Sequence, residues 1–177
     1  MGNRFSIKNK KNREKNIYNE HNRYNEYEKL NAVDIANVSK VPNQNKKTLA
    51  KIIKVYDGDT CTCLFMHDNQ VPMILSMRIK GIDAPELRTK NDMEKEAAIL
   101  VRDHVSDIIY NKIVPIKLEK WDKFGGRVLG DVYIDNDGEV TLSNYLLGEG
   151  IVKVYEGKKK EEWTNNELRF IINKLKR

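Results

Sequence analysis

Five short segments with strand character, and one amphipathic helix between the third and the fourth, predict an α+β domain or a small closed barrel. Turn chemistry separates the segments. Leu49–Tyr56 is rich in aliphatic and β-branched residues and ends at Asp57-Gly58-Asp59. Thr60–Met66 forms the second strand and His67–Gln70 its turn. Val71–Lys80 is the third, and Pro72 near its start suits an edge, because proline has no N–H for a second neighbour. Gly81–Leu87 reads as a tight loop. In Met93–Tyr110 the apolar residues Ala97, Ala98, Val101, Val105, Ile108 and Ile109 recur at helical spacing. Lys112–Lys120 and Arg127–Ile134 are the remaining strands, bounded by turns at Asp122–Gly126 and Asp135–Gly138. Leu142–Leu147 reads as a short helix ending at Gly148 or Gly150. A last helix spans 165–176, with Leu168, Ile171, Ile172 and Leu175 on one face. No internal repeat is visible.

A chain of 177 residues with 40% hydrophobic and 33% charged residues holds one domain and an arm. The expected division is a basic arm over 1–47 and a folded domain over 48–177. The net charge of +6 is unevenly placed: +6 over 1–47, −4 over 48–157 and +4 over 158–177. Basicity therefore belongs to the ends, and the body carries no broad nucleic-acid footprint. Any such function must rest on a local site.

The arm is dense in Asn and Lys. Tyr24, Tyr27 and Leu30 have helical spacing, so a short helix and an unfolded segment both stay open. Pro42 and Asn43–Lys47 read as a linker. The opening Met1-Gly2-Asn3-Arg4-Phe5-Ser6 fits the pattern for myristoylation of Gly2. Lys8, Lys10, Lys11, Arg13 and Lys15 supply the basic patch that one acyl chain needs to hold an anionic membrane. A solvated arm and an arm that grips nucleic acid are the rivals. No secretory leader or membrane-span pattern is seen, so an intracellular, membrane-attached protein is expected. Cys61 and Cys63 share one strand face and read as buried thiols in a reducing compartment.

Candidate chemistry gathers around turns. Asp59 follows Asp57-Gly58, and Asp83 and Glu86 sit in Gly81-Ile82-Asp83-Ala84-Pro85-Glu86. Such acids are often merely solvated. Two carboxylates with a backbone carbonyl and waters also suit calcium or magnesium. Arg78 follows the run Met73–Met77, and Arg127 opens a strand after Gly125-Gly126. Arginines beside a carboxylate-held cation are the parts that phosphodiester cleavage requires. They neutralise charge on the phosphoryl oxygens, and guanidinium matches phosphate as a planar fork. A further carboxylate can activate water. His67 and His104 read as surface or packing residues, Trp121, Tyr133 and Tyr145 as core or rim, and Lys158–Lys160 as a solvated face.

The segments Val55–Thr60, Arg78–Glu86, Asp122–Leu129 and Leu146–Tyr155 resemble the staphylococcal nuclease-like (thermonuclease) family, in family order and over about 48–175. The resemblance implies an OB-fold five-stranded β-barrel with three helices. It implies a monomeric, calcium-dependent endonuclease that hydrolyses DNA and RNA, single strands preferred. The 5′ P–O bond breaks and 3′-phosphate ends remain. By resemblance Asp59, Asp83 and the Ala84 carbonyl hold the calcium, with Asp57 behind them. Glu86 is the general base, and Arg78 and Arg127 hold the scissile phosphate. Lys123, Phe124 and Tyr155 border the bound nucleotide. An inactive nucleic-acid- or protein-binding module of the same fold is the alternative, and its signature would be a missing acid or arginine.

Four departures stand out. Phe124 replaces the usual tyrosine. The stretch from Asp59 to Arg78 is longer, and Leu87–Glu94 shorter, than in secreted bacterial members. The second glycine of Gly125-Gly126 adds a residue before Arg127, where a shift of about 1 Å costs about a hundredfold.

Overall fold

The computed structural model describes residues 25, 28–34, 38–68, 71–123, 126–135 and 137–176. Gly2, its basic segment, Tyr24, Tyr27 and Phe124 lie outside the described residues. The chain divides into two compact units, Met1–Val38 and Ser39–Arg177. In the first, residues 28–31 are helical and Leu30 is exposed.

The second unit runs β1 (Lys47–Asp57), β2 (Thr60–His67), β3 (Val71–Ile79), β4 (Ile82–Asp83), α1 (Asp92–Ile109), β5 (Ile113–Trp121), β6 (Arg127–Val132), α2 (Leu142–Glu149), β7 (Lys153–Val154) and α3 (Asn165–Leu175). Five strands close a barrel in the order β1-β2-β3-β6-β5, with β5 returning to β1. Every pairing is antiparallel except β3 with β6. Strand alternation turns Ala50, Ile52, Cys61, Cys63, Phe65, Met77, Ile116, Leu118, Val128 and Val132 inward, and all are buried. Pro72 pairs with Met66 of β2, while β6 joins β3 only from Ser76 onward. The missing N–H therefore falls where β3 has one neighbour.

The side chain of Asn91 accepts the Met93 and Glu94 amides at the start of α1. Its stripe of Ala97, Val101, Val105 and Ile109 is buried against β1 and α3. A capping box of Thr164 and Glu167 opens α3, which buries Leu168 and Ile171. The paired cysteines are both buried and free, as their shared face predicts. Burial raises both thiols, Cys63 to about 11.

Two local features differ from the pattern read off the sequence. The compact unit begins at Ser39 rather than Thr48. Val41 is part of the core, and the Asn45 amide donates to the Leu118 carbonyl at 2.7 Å. A one-residue apolar anchor has no periodicity, which is why it reads as linker. Ile82–Asp83, expected in a loop, is a strand that pairs with Lys153–Val154. Two residues are too few for an alternation pattern, and the partner lies far along the chain. Among the described residues no helix is long and apolar enough to cross a membrane.

Candidate active site

The β1–β2 turn and β3 bring Asp59 and Arg78 together. Thr60 is the register partner of Arg78, and the Ile79 amide donates to the Asp59 carbonyl at 2.7 Å. Turn and helix are in close contact here: a Cβ at Gly58 would lie 2.6 Å from Val101 Cγ1 and 2.7 Å from Ala84 Cβ. Glycine thus lets the Asp57–Asp59 turn sit against both α1 and the loop that carries Asp83. The β4–β7 pairing holds that loop from its other side. Asp59, Arg78, Asp83 and Ala84 are all buried.

Charges interlock at this end of the barrel. Arg78 Nη2 lies 2.7 Å from Asp59 Oδ2 and 3.3 Å from Asp83 Oδ1. Its guanidinium sits 5.0 Å over the Tyr155 ring. Thr60 Oγ1 donates to Asp59 Oδ1 at 2.8 Å and accepts from Arg127 Nη1 at 3.4 Å. Arg127 Nη2 also pairs with Asp122 Oδ2 at 2.9 Å. Arg127 stands opposite Ser76 on the adjoining strand. Gly126 before it has φ +76°, a left-handed turn that suits glycine, and strand register resumes at once. From the β7–α3 segment, Lys160 Nζ reaches Asp83 Oδ1 at 2.6 Å and also pairs with Glu86 Oε1. One continuous polar chain therefore runs Arg127–Thr60–Asp59–Arg78–Asp83–Lys160–Glu86.

The titration of these groups follows from burial. Asp59 is pushed up to about 6, first by loss of water, then by the charge of Asp57, against the pull of Arg78 and Thr60. Asp57 Oδ1 accepts the Asp59 amide at 3.2 Å, so the two acids are held together. Burial likewise raises Asp83, outweighing the hydrogen bond from Lys160. Burial opposes the charge on Lys160, yet its bonds to Asp83 and Glu86 prevail and raise it.

The oxygen set of Asp59, Asp83 and the adjoining Ala84 carbonyl fits a hard divalent cation in kind. Burial is the larger cause of the rise in Asp59, and Asp57 adds a second negative charge beside it against the pull of Arg78. Among the described residues no group of three or more His, Cys, Asp or Glu is arranged to hold a metal. Two carboxylates completed by a carbonyl and waters are what this set offers.

Beside Arg78 a cleft of about 510 Å³ is lined by Lys80, Lys120, Trp121, Lys123 and Tyr155, among others. Lys123 Nζ donates to the Gly157 carbonyl at 2.6 Å, and the Tyr155 hydroxyl to the Lys158 carbonyl at 3.0 Å. Trp121, read from the sequence as core or rim, is 45% exposed on this wall, its indole N–H held by the Lys40 carbonyl at 2.9 Å. His104 lies elsewhere, paired with Glu149 at 2.6 Å.

A family model described as "Staphylococcal nuclease homologue" matches residues 76–176. The chain belongs to this family. A search of curated proteins finds no match. The staphylococcal nuclease match takes in Arg78, Asp83, Glu86, Arg127 and Lys160. Asp57, Asp59 and Thr60 precede it, and the β2–β3 register brings them to it.

Three participants escaped the sequence reading. Thr60 follows Asp59 directly, and its link between both arginines depends on tertiary register. Asp122 opens a turn and a resemblance segment that assigns it no role of its own. Lys160 stands in a run that reads as a solvated face and instead folds back onto two acids. Only the strand pairing of β4 with β7 discloses that return.

Proposed function

We propose that this protein is a calcium-dependent nuclease that hydrolyses phosphodiester bonds in DNA and RNA, acting as a monomer with a preference for single strands. The reading predicts cleavage of the 5′ P–O bond and 3′-phosphate ends. The observation that carries it is the buried Asp59–Arg78–Asp83 cluster, joined through Thr60 to Arg127. Buried charges of this density are costly, and a purely structural site would be at least as well served by apolar packing. Family membership supports the same reaction class.

In this reading Asp59, Asp83 and the Ala84 carbonyl hold the cation, with Asp57 adding negative charge behind Asp59. The bound ion would supply Lewis-acid stabilisation of the phosphoryl oxygens. Arg78 and Arg127 approach the phosphate from two strands and neutralise charge as the in-line displacement proceeds. Asp122 and Thr60 fix the Arg127 fork in the absence of substrate. Glu86, about half exposed at the rim, takes the proton of the attacking water once it is free of Lys160. Lys123 and Tyr155 line the cleft where the adjoining nucleotide rests, and the exposed Trp121 offers a stacking surface there. By resemblance Phe124 would border the same nucleotide.

Oligonucleotide digestion with calcium, with magnesium and with chelator tests the proposal. Calcium should support cleavage, chelation should stop it, and product ends should carry 3′-phosphate. Full activity under chelation would overturn the metal assignment. We also propose membrane attachment through acylated Gly2 and the basic residues that follow. Fractionation of parent and Gly2→Ala in a eukaryotic host tests it, and identical partition away from membranes refutes it.

A further inference from the structure

Lys160 holds the two carboxylates that the proposed mechanism most needs free. Its Nζ is 2.6 Å from Asp83 Oδ1 and is also paired with Glu86 Oε1. The contact is selective within the Lys158–Lys160 run. The Lys158 side chain is 84% exposed and pairs with the neighbouring Glu156, whereas Lys160 is 36% exposed and turned back to the site. Geometry explains the choice. The β7 strand pairs with β4, Lys153 opposite Asp83 and Val154 opposite Ile82, so the chain passes the acid just before the segment that carries Lys160. The Tyr155 hydroxyl then ties to the Lys158 carbonyl and bends the segment.

Two cations meet on Asp83 Oδ1, and they are not equivalent. Arg78 is buried in a strand, clamped by Asp59 and covered by Tyr155. Lys160 sits on an irregular segment with a partly exposed head group. Of the two, only Lys160 can leave without disturbing the barrel.

We propose that Lys160 is an intramolecular counter-ion that competes with the divalent cation for Asp83 and sets the metal affinity of the site. Metal binding breaks the Lys160–Asp83 and Lys160–Glu86 pairs together, so one event fills the cation position and frees the base. Substitution of Lys160 should therefore tighten calcium binding. The inference rests on the reading of Asp83 as a metal ligand, and the test separates the two.

The full-length protein is titrated with calcium chloride by isothermal calorimetry at fixed ionic strength. Lys160→Met is expected to bind roughly tenfold more tightly than the parent. Lys158→Met should change affinity less than about twofold, which excludes a general effect of removing one positive charge. Asp83→Asn should weaken binding strongly. A second readout uses Trp163, which lines one cavity with Lys160, Glu86 and Glu94. The chain has two tryptophans, so Trp121→Phe leaves Trp163 as reporter. Calcium should change its emission in that background, and less so once Lys160→Met is added. If Lys160→Met binds calcium no more tightly than the parent while Asp83→Asn binds it weakly, the counter-ion role is wrong and the metal reading stands. If Asp83→Asn binds as the parent does, the metal reading fails and this inference falls with it.

Discussion

Cys61 and Arg78 are both almost fully removed from water, yet they lie in regions that obey opposite rules. Inside the barrel, Ile52, Cys61, Met77, Ile116 and Leu118 gain from burial whatever their exact partners, because apolar transfer is non-directional. At the barrel's end, Asp59, Arg78 and Asp83 lose hydration and recover it only through specific contacts. One region tolerates exchange among residues of similar size. The other fails when a single partner is removed. Equal burial thus says little about how a position responds to change, and the contrast can be measured.

The sharpest separation should come from Glu86→Gln. Turnover should fall by about two to four orders of magnitude if Glu86 is the general base. Oligonucleotide binding and the urea midpoint should stay close to the parent, since the side chain is about half exposed. Turnover within about threefold of the parent in excess calcium would remove Glu86 from that role. Ile116→Ala should do the reverse, costing about 2–5 kcal/mol of stability with the folded fraction still active. Both can be followed by paired kinetics and denaturant titration.

Next in size, Arg78→Met should cost about 3–5 kcal/mol by urea unfolding, because Asp59 and Asp83 are left buried without it. A loss below that of an ordinary surface substitution would show that the pair is not buried as described. Gly58→Ala should cost about 1–3 kcal/mol, since its new methyl meets Val101 and Ala84. It should also weaken calcium binding, as the displaced turn carries Asp59.

The pH response is smaller and carries a sign. Asp59 titrates at about 6 in the folded chain against an ordinary value of 3.8. Between those values the folded state binds more protons than the unfolded one, so this group's contribution makes stability fall as pH rises toward 6. Metal-free protein should show that slope in urea midpoints, and Asp59→Asn should flatten it. Calcium affinity should move oppositely, declining as pH drops through about 6. The smallest effect is expected at Trp121→Ala, a loss of about tenfold in single-strand binding by anisotropy with no change in unfolding midpoint.

The same contrast explains what the sequence disclosed. The barrel strands and all three helices of the domain are legible because burial writes a period into Thr60–Met66 or Met93–Tyr110. The acids and arginines are legible for another reason: they sit in short runs such as Gly81–Glu86 that resemble a family as wholes. Lys160, Thr60 and Asp122 escaped both routes. Each acts through a contact fixed by tertiary register: Thr60 and Asp122 stand at the ends of motif segments that assign them no role, and Lys160 stands in a run that reads as surface. Val41 escaped because one buried residue has no period.

Ile82–Asp83 and Lys153–Val154 form the shortest sheet in the domain, and it joins segments made at different times during synthesis. The five barrel strands are all present once Val132 has been made. The strand that steadies Asp83, and the lysine that caps it, arrive only with residues 153–160. A nascent or prematurely terminated chain therefore has every barrel strand while Asp83 still lacks the strand that steadies it. On the proposed nuclease reading, hydrolysis would await β7 and not the barrel alone.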